Sequence, residues 1–155
     1  MGDQQLDHLR TLATAFRDAI EAARAQRLPG ALPYFPEGAC RMTSRLLAQH
    51  LACRPDPGAF GRVQFASGIL PSVDTPARHH WLVVDGAVVD MTADAFGQDR
   101  VIVGARSAFH ESLMERDAVN AATVLASMNA DETARLGRQL AAIEACMGAL
   151  ALPAV

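Results

Sequence analysis

The dipeptide Asp85-Gly86 constrains the fold of this chain more than any other feature of the sequence, because it lies between two short apolar runs. An Asp-Gly pair in that setting is the strongest short-range signal for a β-hairpin. It predicts two antiparallel strands over about residues 79–84 and 87–92, and its two-residue loop sets their register. A small antiparallel sheet is therefore expected in the middle of the chain.

The predicted register divides the hairpin side chains between two faces of the sheet. Residues directly opposite each other share a face, and so do residues two apart along one strand. One face then carries His79, Trp81, Val83, Val88, Asp90 and Thr92. The other face is apolar apart from His80, and it carries His80, Leu82, Val84, Ala87, Val89 and Met91. Asp90 is thus predicted to be a diagonal neighbour of His79, within hydrogen-bonding reach of its imidazole.

Helices are predicted before and after this sheet, where apolar residues recur at steps of three and four. Besides the hairpin, the predicted elements are helices over 4–27, 39–53, 116–128 and 131–149, and strands over 61–70 and 101–104. No repeat or domain linker interrupts the chain, so residues 1–155 are expected to form one α+β domain.

Composition excludes several classes of function. The chain has 155 residues, half of them apolar, and a net charge near −3, which describes a globular domain without the basic surface that binds nucleic acid. All 14 basic residues are arginine. The absence of lysine excludes a Walker A phosphate loop, a pyridoxal-phosphate Schiff base and a kinase-type lysine, and no cofactor is predicted.

The three cysteines, Cys40, Cys53 and Cys146, show no C-x-x-C spacing. Their odd number and the absence of a recognisable leader predict reduced thiols in a cytoplasmic protein. No apolar run approaches the roughly 20 residues of a membrane helix, so no membrane partner is expected. Cys53 ends one predicted helix and Cys146 lies deep in another, which predicts packing roles for both.

Cys40 differs from the other two cysteines because it lies in the first turn of its predicted helix. The partial positive charge and free N–H groups of a helix start favour a thiolate and can hold an oxyanion. A thiol nucleophile also needs a base, and the base needs a group that fixes its tautomer. His79 and Asp90 are predicted to supply these two roles. Taken singly, the three residues also fit an inert buried cysteine, a surface histidine and a turn carboxylate.

Residues 79–92 contain the pattern H-x-W followed by V-D-x-T. This pattern resembles the core of transglutaminase-like, papain-fold cysteine enzymes, in which the helix-start cysteine comes first, then the histidine, then the aspartate. Small bacterial proteins of this kind share a Phe-Pro-x-Gly-x-Cys segment and a Thr-Ala-Asp-x-Phe continuation, here residues 35–40 and 92–96. The resemblance covers about residues 35–104.

The resemblance implies a papain-like core, with the nucleophile at a helix start packed on a small antiparallel sheet, and an acyl-transfer activity on a peptide or protein. Its histidine two residues before the tryptophan corresponds to His79, in agreement with strand parity. His80 stands where a small residue is frequent, and no glutamine before Cys40 fits the oxyanion-hole position of papain-type enzymes. Glu37, His80 and Trp81 are the residues predicted to contact the substrate.

Other functions compete with this prediction. The same scaffold can serve as an inactive protein-binding module, and the apolar stripes of the terminal helices are compatible with a homodimer. An arylamine acetyltransferase-like enzyme shares the Cys-His-Asp set but needs a longer chain. A zinc site of Cys40, His79 and Asp90 has no second ligand pair in the sequence to support it, so no metal is predicted. Loops over 54–62, 71–78 and 93–100 are expected to set substrate specificity.

Overall fold

A computed structural model describes residues 1–53, 60–71 and 75–151 of the chain. Parts of two loops expected to set specificity, residues 54–59 and 72–74, lie outside the described residues. The described helices are α1 (Asp3–Ala25), α2 (Cys40–Ala52), α3 (Ala108–Ser112), α4 (Ala121–Ala126) and α5 (Ala130–Ala151). The described strands are β1 (Val63–Leu70), β2 (Ala77–Val84), β3 (Ala87–Asp90), β4 (Ile102–Gly104) and β5 (Met114–Asn120).

The five strands form one antiparallel sheet in the order β4-β3-β2-β1-β5. Helices α1 and α2 precede the strands, α4 and α5 follow them, and only the short α3 lies between β4 and β5, so the α+β class is confirmed. Helices α1, α2 and α5 share a core cluster with one face of the sheet. Within the described residues, no helix has both the length and the apolar character needed to cross a membrane.

The hairpin has the predicted register and the predicted faces. Val84 pairs with Ala87, and Leu82 pairs with Val89 across the Asp85-Gly86 turn. Both turn residues have positive φ, +48° and +87°, which the Asp-Gly pair tolerates better than most dipeptides. The apolar face packs into the main core, whose members from the hairpin are Leu82, Val84, Ala87, Val89 and Met91.

The opposite face of the sheet carries a smaller cluster. Its buried members are Ala66, Trp81 and Leu113, and partly buried residues from the hairpin and from α3 pack against it. A Cβ built on Gly68 would lie 2.8 Å from the Leu113 side chain and 3.3 Å from the Trp81 ring. Only a glycine lets the segment after α3 approach the sheet so closely at this position. That close approach brings α3 over the same sheet face as His79.

The predicted helix over 116–128 is wrong in its first part. Met114–Asn120 form strand β5, which pairs with β1, and the helix α4 starts only at Ala121. All the side chains of β5 are exposed, so this edge strand shows no apolar alternation that a sequence could reveal. The change from strand to helix is marked by Asn120, whose side chain accepts a hydrogen bond from the backbone N–H of Ala122 at 2.9 Å.

A buried arginine fixes α1 to the segment that follows the hairpin. The guanidinium of Arg17 donates to both carboxylate oxygens of Asp94, each at 2.7 Å. It also donates to the backbone carbonyls of Met91 at 2.7 Å and Arg100 at 2.8 Å, and to Glu21 at 3.0 Å. Arg17 is 3% exposed, so these bonds replace nearly all of its hydration. The network holds the chain immediately after Asp90 in one conformation.

The apolar stripes of the terminal helices are largely covered within the chain. Buried residues of α1 and α5 belong to the same core cluster, and the two helices contact each other. The homodimer expected from those stripes stays a prediction. Cys146 is buried, as its predicted packing role requires, but Cys53 is exposed and accepts a hydrogen bond from the Gln49 side chain at 2.9 Å. The packing role predicted for Cys53 is therefore wrong, because the residue caps the outer end of α2.

Candidate functional site

His79 and Asp90 form a buried hydrogen-bonded pair. The Nε2 atom of His79 lies 2.5 Å from Oδ2 of Asp90, and both side chains are at most 1% exposed. The two residues lie at the start of β2 and at the end of β3, on the hairpin face that strand parity assigns to them. The hairpin register therefore creates this pair directly.

Asp90 accepts four hydrogen bonds. Its Oδ2 atom accepts from His79 and also from Nε2 of His110, at 3.0 Å. Its Oδ1 atom accepts from the backbone N–H of Thr92 at 2.8 Å and from the Thr92 hydroxyl at 3.0 Å. Burial by itself would raise the pKa of Asp90, but the hydrogen bonds from His110 and His79 hold it well below its usual range. Asp90 is therefore an ionised, fully satisfied acceptor.

The carboxylate also fixes the tautomer of His79. An ionised carboxylate only accepts hydrogen bonds, so the Nε2 atom of His79 must carry a proton. In the neutral imidazole, the Nδ1 atom is then the free base. Nδ1 is buried and makes no regular hydrogen bond with any group in the described parts of the chain. The structure thus leaves one basic nitrogen of His79 aimed away from Asp90.

Cys40 interacts with this imidazole from the start of α2. Burial lowers the pKa of His79, but hydrogen bonds to Asp90 and Cys40, together with their charges, outweigh it and raise the pKa to about 9. Because Asp90 occupies Nε2, Nδ1 is the ring nitrogen left to interact with the thiol. The structure joins His79 and Asp90 directly, and Cys40, which is partly exposed, lies close enough to the imidazole to affect its pKa.

The segment before Cys40 is built to present the helix start. Phe35 is buried, lies 4.7 Å below the Arg17 guanidinium, and is joined to Pro36 by a cis peptide bond. Gly38 has φ +64°, a left-handed conformation that favours glycine. No side chain caps the N-terminus of α2 at Ala39. The first N–H groups of the helix are therefore left without an intrahelical or side-chain acceptor.

Aromatic rings enclose the imidazole of His79. Phe96 packs edge-on at 4.8 Å between ring centroids, and Trp81 stacks at 5.8 Å. Phe109 lies at 5.8 Å on a third side. Such rings exclude water and fix the orientation of the imidazole. The tryptophan of the H-x-W pattern and the phenylalanine of the Thr-Ala-Asp-x-Phe continuation thus both contact His79.

His110 is a member of the site that sequence reasoning missed. It is 3% exposed, its Nδ1 atom lies 2.7 Å from the hydroxyl of Ser107, and its ring packs against Trp81 at 4.7 Å. Since Nε2 donates to Asp90, the neutral ring accepts from Ser107 at Nδ1. No pattern around His110 signals this role, because the short helix α3 reaches Asp90 only through the folding of the chain.

The three residues predicted to contact a substrate lie in different surroundings. Trp81 is buried, and beyond its contacts with the two histidines it forms part of the floor of a cavity of about 390 Å³ beside His110. Glu37 is exposed and lines a separate groove near Arg135. His80 is half-buried on the α2 side of the sheet, as strand parity predicts. Their roles in substrate binding stay predictions.

His79, Asp90 and His110 also form a potential metal-binding set. Each residue offers one ligand atom, and the three atoms lie within 4.8 Å of one another. Two imidazole nitrogens and a carboxylate oxygen are ligands that zinc accepts. In the structure the same atoms are joined by hydrogen bonds, which satisfy the carboxylate without an ion. The set differs from the zinc site considered in the sequence analysis, because it includes His110 and not Cys40.

Similarity to known proteins adds no assignment to this geometry. Searches against protein-family models, curated proteins and solved structures each found no match.

Proposed function

We propose that this chain is a cysteine-dependent acyl-transfer enzyme with a papain-like core, acting on an amide or thioester of a peptide or protein substrate. Cys40 is the nucleophile, His79 is the base, and Asp90 orients and charges the imidazole. One observation carries the proposal. The His79 ring lies between the buried carboxylate of Asp90 and the partly exposed thiol of Cys40, and among the described residues Cys40 is the only cysteine that interacts with it. That arrangement supplies a nucleophile, a base and an orienting group in contact.

The proposed resting state has a positively charged His79 beside the thiol of Cys40. With a pKa of about 9, His79 is protonated at neutral pH, and a positive charge next to a thiol favours its thiolate form. Asp90 balances the second proton of the imidazolium and keeps the ring in place. The thiolate is then available without an external base.

In the acylation step, the Cys40 thiolate attacks the acyl carbon and a C–S bond forms. The negative charge moves to the acyl oxygen, and the uncapped N–H groups at the start of α2 are the donors available to it. The intermediate collapses as the bond to the leaving group breaks. The leaving amine or thiol takes the Nδ1 proton of His79, which becomes neutral, and a thioester remains on Cys40.

In the second step, His79 acts as the base for the incoming nucleophile. Its Nδ1 atom removes a proton from water or from an amine, which attacks the thioester. Water yields a carboxylic acid, as in a peptidase or deamidase, and an amine yields a new amide, as in a transglutaminase. The Cys40 thiolate leaves, and the imidazolium is restored.

Iodoacetamide at pH 6 is expected to alkylate Cys40 at least tenfold faster than the exposed Cys53. A thiol with the ordinary pKa of about 8.5 is less than ~1% ionised at pH 6, whereas the positive charge of His79 favours the thiolate form of a neighbouring thiol. His79→Ala should slow the alkylation of Cys40 by about two orders of magnitude, the ratio of the two thiolate fractions. Peptide mapping by mass spectrometry measures all three cysteines in one sample.

The matched control is His50→Ala, which removes a histidine paired with Glu144 at 2.8 Å elsewhere on α2. Its Cys40 rate should equal that of the unmodified chain. Equal and slow labelling of all three thiols would reject the proposal and favour a protein-binding module on the same fold. EDTA should leave the rate unchanged, and stoichiometric zinc that survives dialysis would instead favour a metal centre at His79, Asp90 and His110.

The pH profile of the same reaction gives a second prediction. His79 stays protonated until the pH approaches its pKa of about 9, so the positive charge that favours a thiolate at this position persists across the neutral range. The alkylation rate of Cys40 should therefore change less than about twofold between pH 6 and 8. An ordinary thiol gains thiolate about tenfold per pH unit over this range. A Cys40 rate that rises in parallel with that of Cys53 would contradict a thiolate favoured by His79.

A further inference from the structure

A small cavity with a volume of about 190 Å³ lies on the α2 side of the sheet. Arg41, Arg45 and His80 are among its lining residues, and we call this cavity the arginine pocket. Arg41 directly follows Cys40, and His80 directly follows His79. Because neighbouring Cα atoms are 3.8 Å apart, the backbone of Arg41 lies next to that of the proposed nucleophile, although the side chains of His80 and His79 lie on opposite faces of the sheet.

Arg45 is poorly satisfied within the protein. Its side chain is 12% exposed, and its Nε atom is buried without a hydrogen-bond partner in the part of the chain that the structure describes. The ion pair between its Nη1 atom and Glu132 is long, at 3.9 Å. A buried donor without an acceptor costs stability, so its retention here needs a reason.

The charges around the pocket repel one another. Arg41 precedes Arg45 by one helical turn, a spacing at which like charges are destabilising. Among the described residues Arg41 has no ion pair or hydrogen bond, although the chain as a whole is acidic. Burial, with the positive charge of Arg41 as the next cause, lowers the pKa of His80 to about 4. His80 is therefore neutral at pH 7, and a third guanidinium, that of Arg78, lies close enough to act on it.

The acidic groups near the pocket are not paired closely with Arg41 or Arg45. Asp117 lines the pocket and accepts the backbone N–H of Ala118 at 2.8 Å, but it forms no ion pair with either arginine in the part of the chain that the structure describes. Glu115 lies 3.9 Å from Arg78, and both residues are largely exposed, so this pair is weak. An anion in the pocket would satisfy Arg45 and relieve its repulsion from Arg41.

We propose that the arginine pocket binds a carboxylate of the acyl substrate, and that the preferred substrates are peptides with an acidic residue next to the reacting acyl group. This inference rests on the proposed function, since it places the carboxylate beside Cys40. Guanidinium groups match the planar, two-oxygen geometry of a carboxylate, and neutral His80 supplies a further hydrogen-bonding nitrogen. The pocket thus gives the site a charge preference.

Two alkylating peptides that differ only in charge test the inference. Bromoacetyl-aspartate amide and bromoacetyl-asparagine amide carry the same reactive group, and each forms a C–S bond to Cys40 with loss of bromide. The aspartate probe should alkylate Cys40 about tenfold faster than the asparagine probe, the scale of one charge-assisted contact. Arg45→Gln and Arg41→Gln should each bring this ratio close to one. The ratio cancels any change in the intrinsic reactivity of the thiol.

Arg62→Gln is the matched control. Arg62 is exposed and lies beside the Asp85-Gly86 turn, just before β1 begins, whereas His80 of the arginine pocket pairs with Ser67 further along β1. The Arg62→Gln variant should keep the tenfold ratio of the aspartate-probe rate to the asparagine-probe rate. Because Arg41 is exposed, Arg41→Gln reports on the pocket even if Arg45→Gln destabilises the fold.

Equal rates for the two probes with the unmodified chain would overturn the inference and leave the proposed function intact. Failure of the proposed function would instead show as slow alkylation of Cys40 by both probes. The pocket is then tested without the thiol, in Cys40→Ala. Succinate, compared with succinamide at equal ionic strength, should raise its melting temperature, and Arg45→Gln should abolish the rise. No difference between the two additives would also overturn the inference.

Discussion

Replacing Asp90 with asparagine is expected to slow the alkylation of Cys40 at pH 6 about a hundredfold while the chain still folds. The carboxylate is the group that keeps His79 protonated at neutral pH, through their 2.5 Å hydrogen bond and its charge. Without it, His79 loses the imidazolium form and with it the positive charge that favours a thiolate, and an ordinary thiol is ~1% ionised or less at this pH. The measurement is again iodoacetamide labelling followed by peptide mapping.

The hydrogen bonds around Asp90 explain why the loss is large. The amide of asparagine has one oxygen and one NH₂ group, and the backbone N–H of Thr92 requires the oxygen. The NH₂ group then faces the Nε2 atoms of His79 and His110, which must both become acceptors. His79 would carry its proton on Nδ1, toward the thiol, and would no longer be a base for it. The same tautomer error disables serine-protease triads.

Asp85→Asn is the matched control for this substitution. Asp85 lies in the turn of the same hairpin, and its carboxylate accepts the backbone N–H groups of Gly61 and Arg62 at 2.9 and 2.6 Å. It makes no contact with His79, so its replacement should leave the alkylation rate within about twofold of the original. If Asp90→Asn kept the full rate as well, Asp90 would have a structural role only, and the triad would be incorrect.

Arg17→Met is expected to give the largest loss of stability, about 3 kcal/mol in the free energy of unfolding. The substitution keeps much of the side-chain volume but removes the charge that compensates Asp94, which is 27% exposed. It also leaves the buried carbonyl of Met91 without its 2.7 Å donor. Breaking a buried pair is costly because the remaining partner has lost its hydration and has no replacement. Urea unfolding followed by circular dichroism measures the change.

Arg10→Met separates this effect from the loss of any arginine on α1. Arg10 is half exposed, pairs with Asp7 at 2.7 Å one turn away, and donates one hydrogen bond to the backbone carbonyl of Val103 at 3.1 Å. Surface pairs of this kind contribute little, so the expected change is below about 1 kcal/mol. If the two variants lost similar free energies of unfolding, the Arg17 network would contribute no more to stability than the contacts of Arg10. Because Arg17 holds the carbonyl next to Asp90, Arg17→Met should also slow the alkylation of Cys40.

Local patterns in the sequence predicted most of the elements and the core of the site. The Asp85-Gly86 turn predicted the hairpin, its register and the shared face of His79 and Asp90, because alternation along paired strands is a property of the backbone itself. The apolar periodicity of α1, α2 and α5 likewise predicted helices close to those observed. These features depend on residues that are near one another in the chain.

Strand β5 and His110 were missed because their signals are not local. The side chains of β5 are exposed, and hydrogen bonds to β1 alone make this segment a strand. His110 shares the carboxylate of Asp90 across 20 positions of sequence, and the close approach at Gly68 helps to bring its helix there. The contacts of Arg17 have no local signal either, since its partners Met91 and Asp94 lie more than 70 residues away in the sequence.

The sequence by itself determined the hairpin, the pairing of His79 with Asp90 and the location of Cys40 at a helix start, since turn chemistry and periodicity act over a few residues. Only the tertiary structure decided that Cys40 lies close enough to His79 to affect its pKa, that His110 joins the carboxylate, and that Arg41 and Arg45 line a common pocket. The physical reason is burial. Packing brings distant groups together out of water, and it thereby shifts the pKa of His79 and leaves Arg45 without an acceptor.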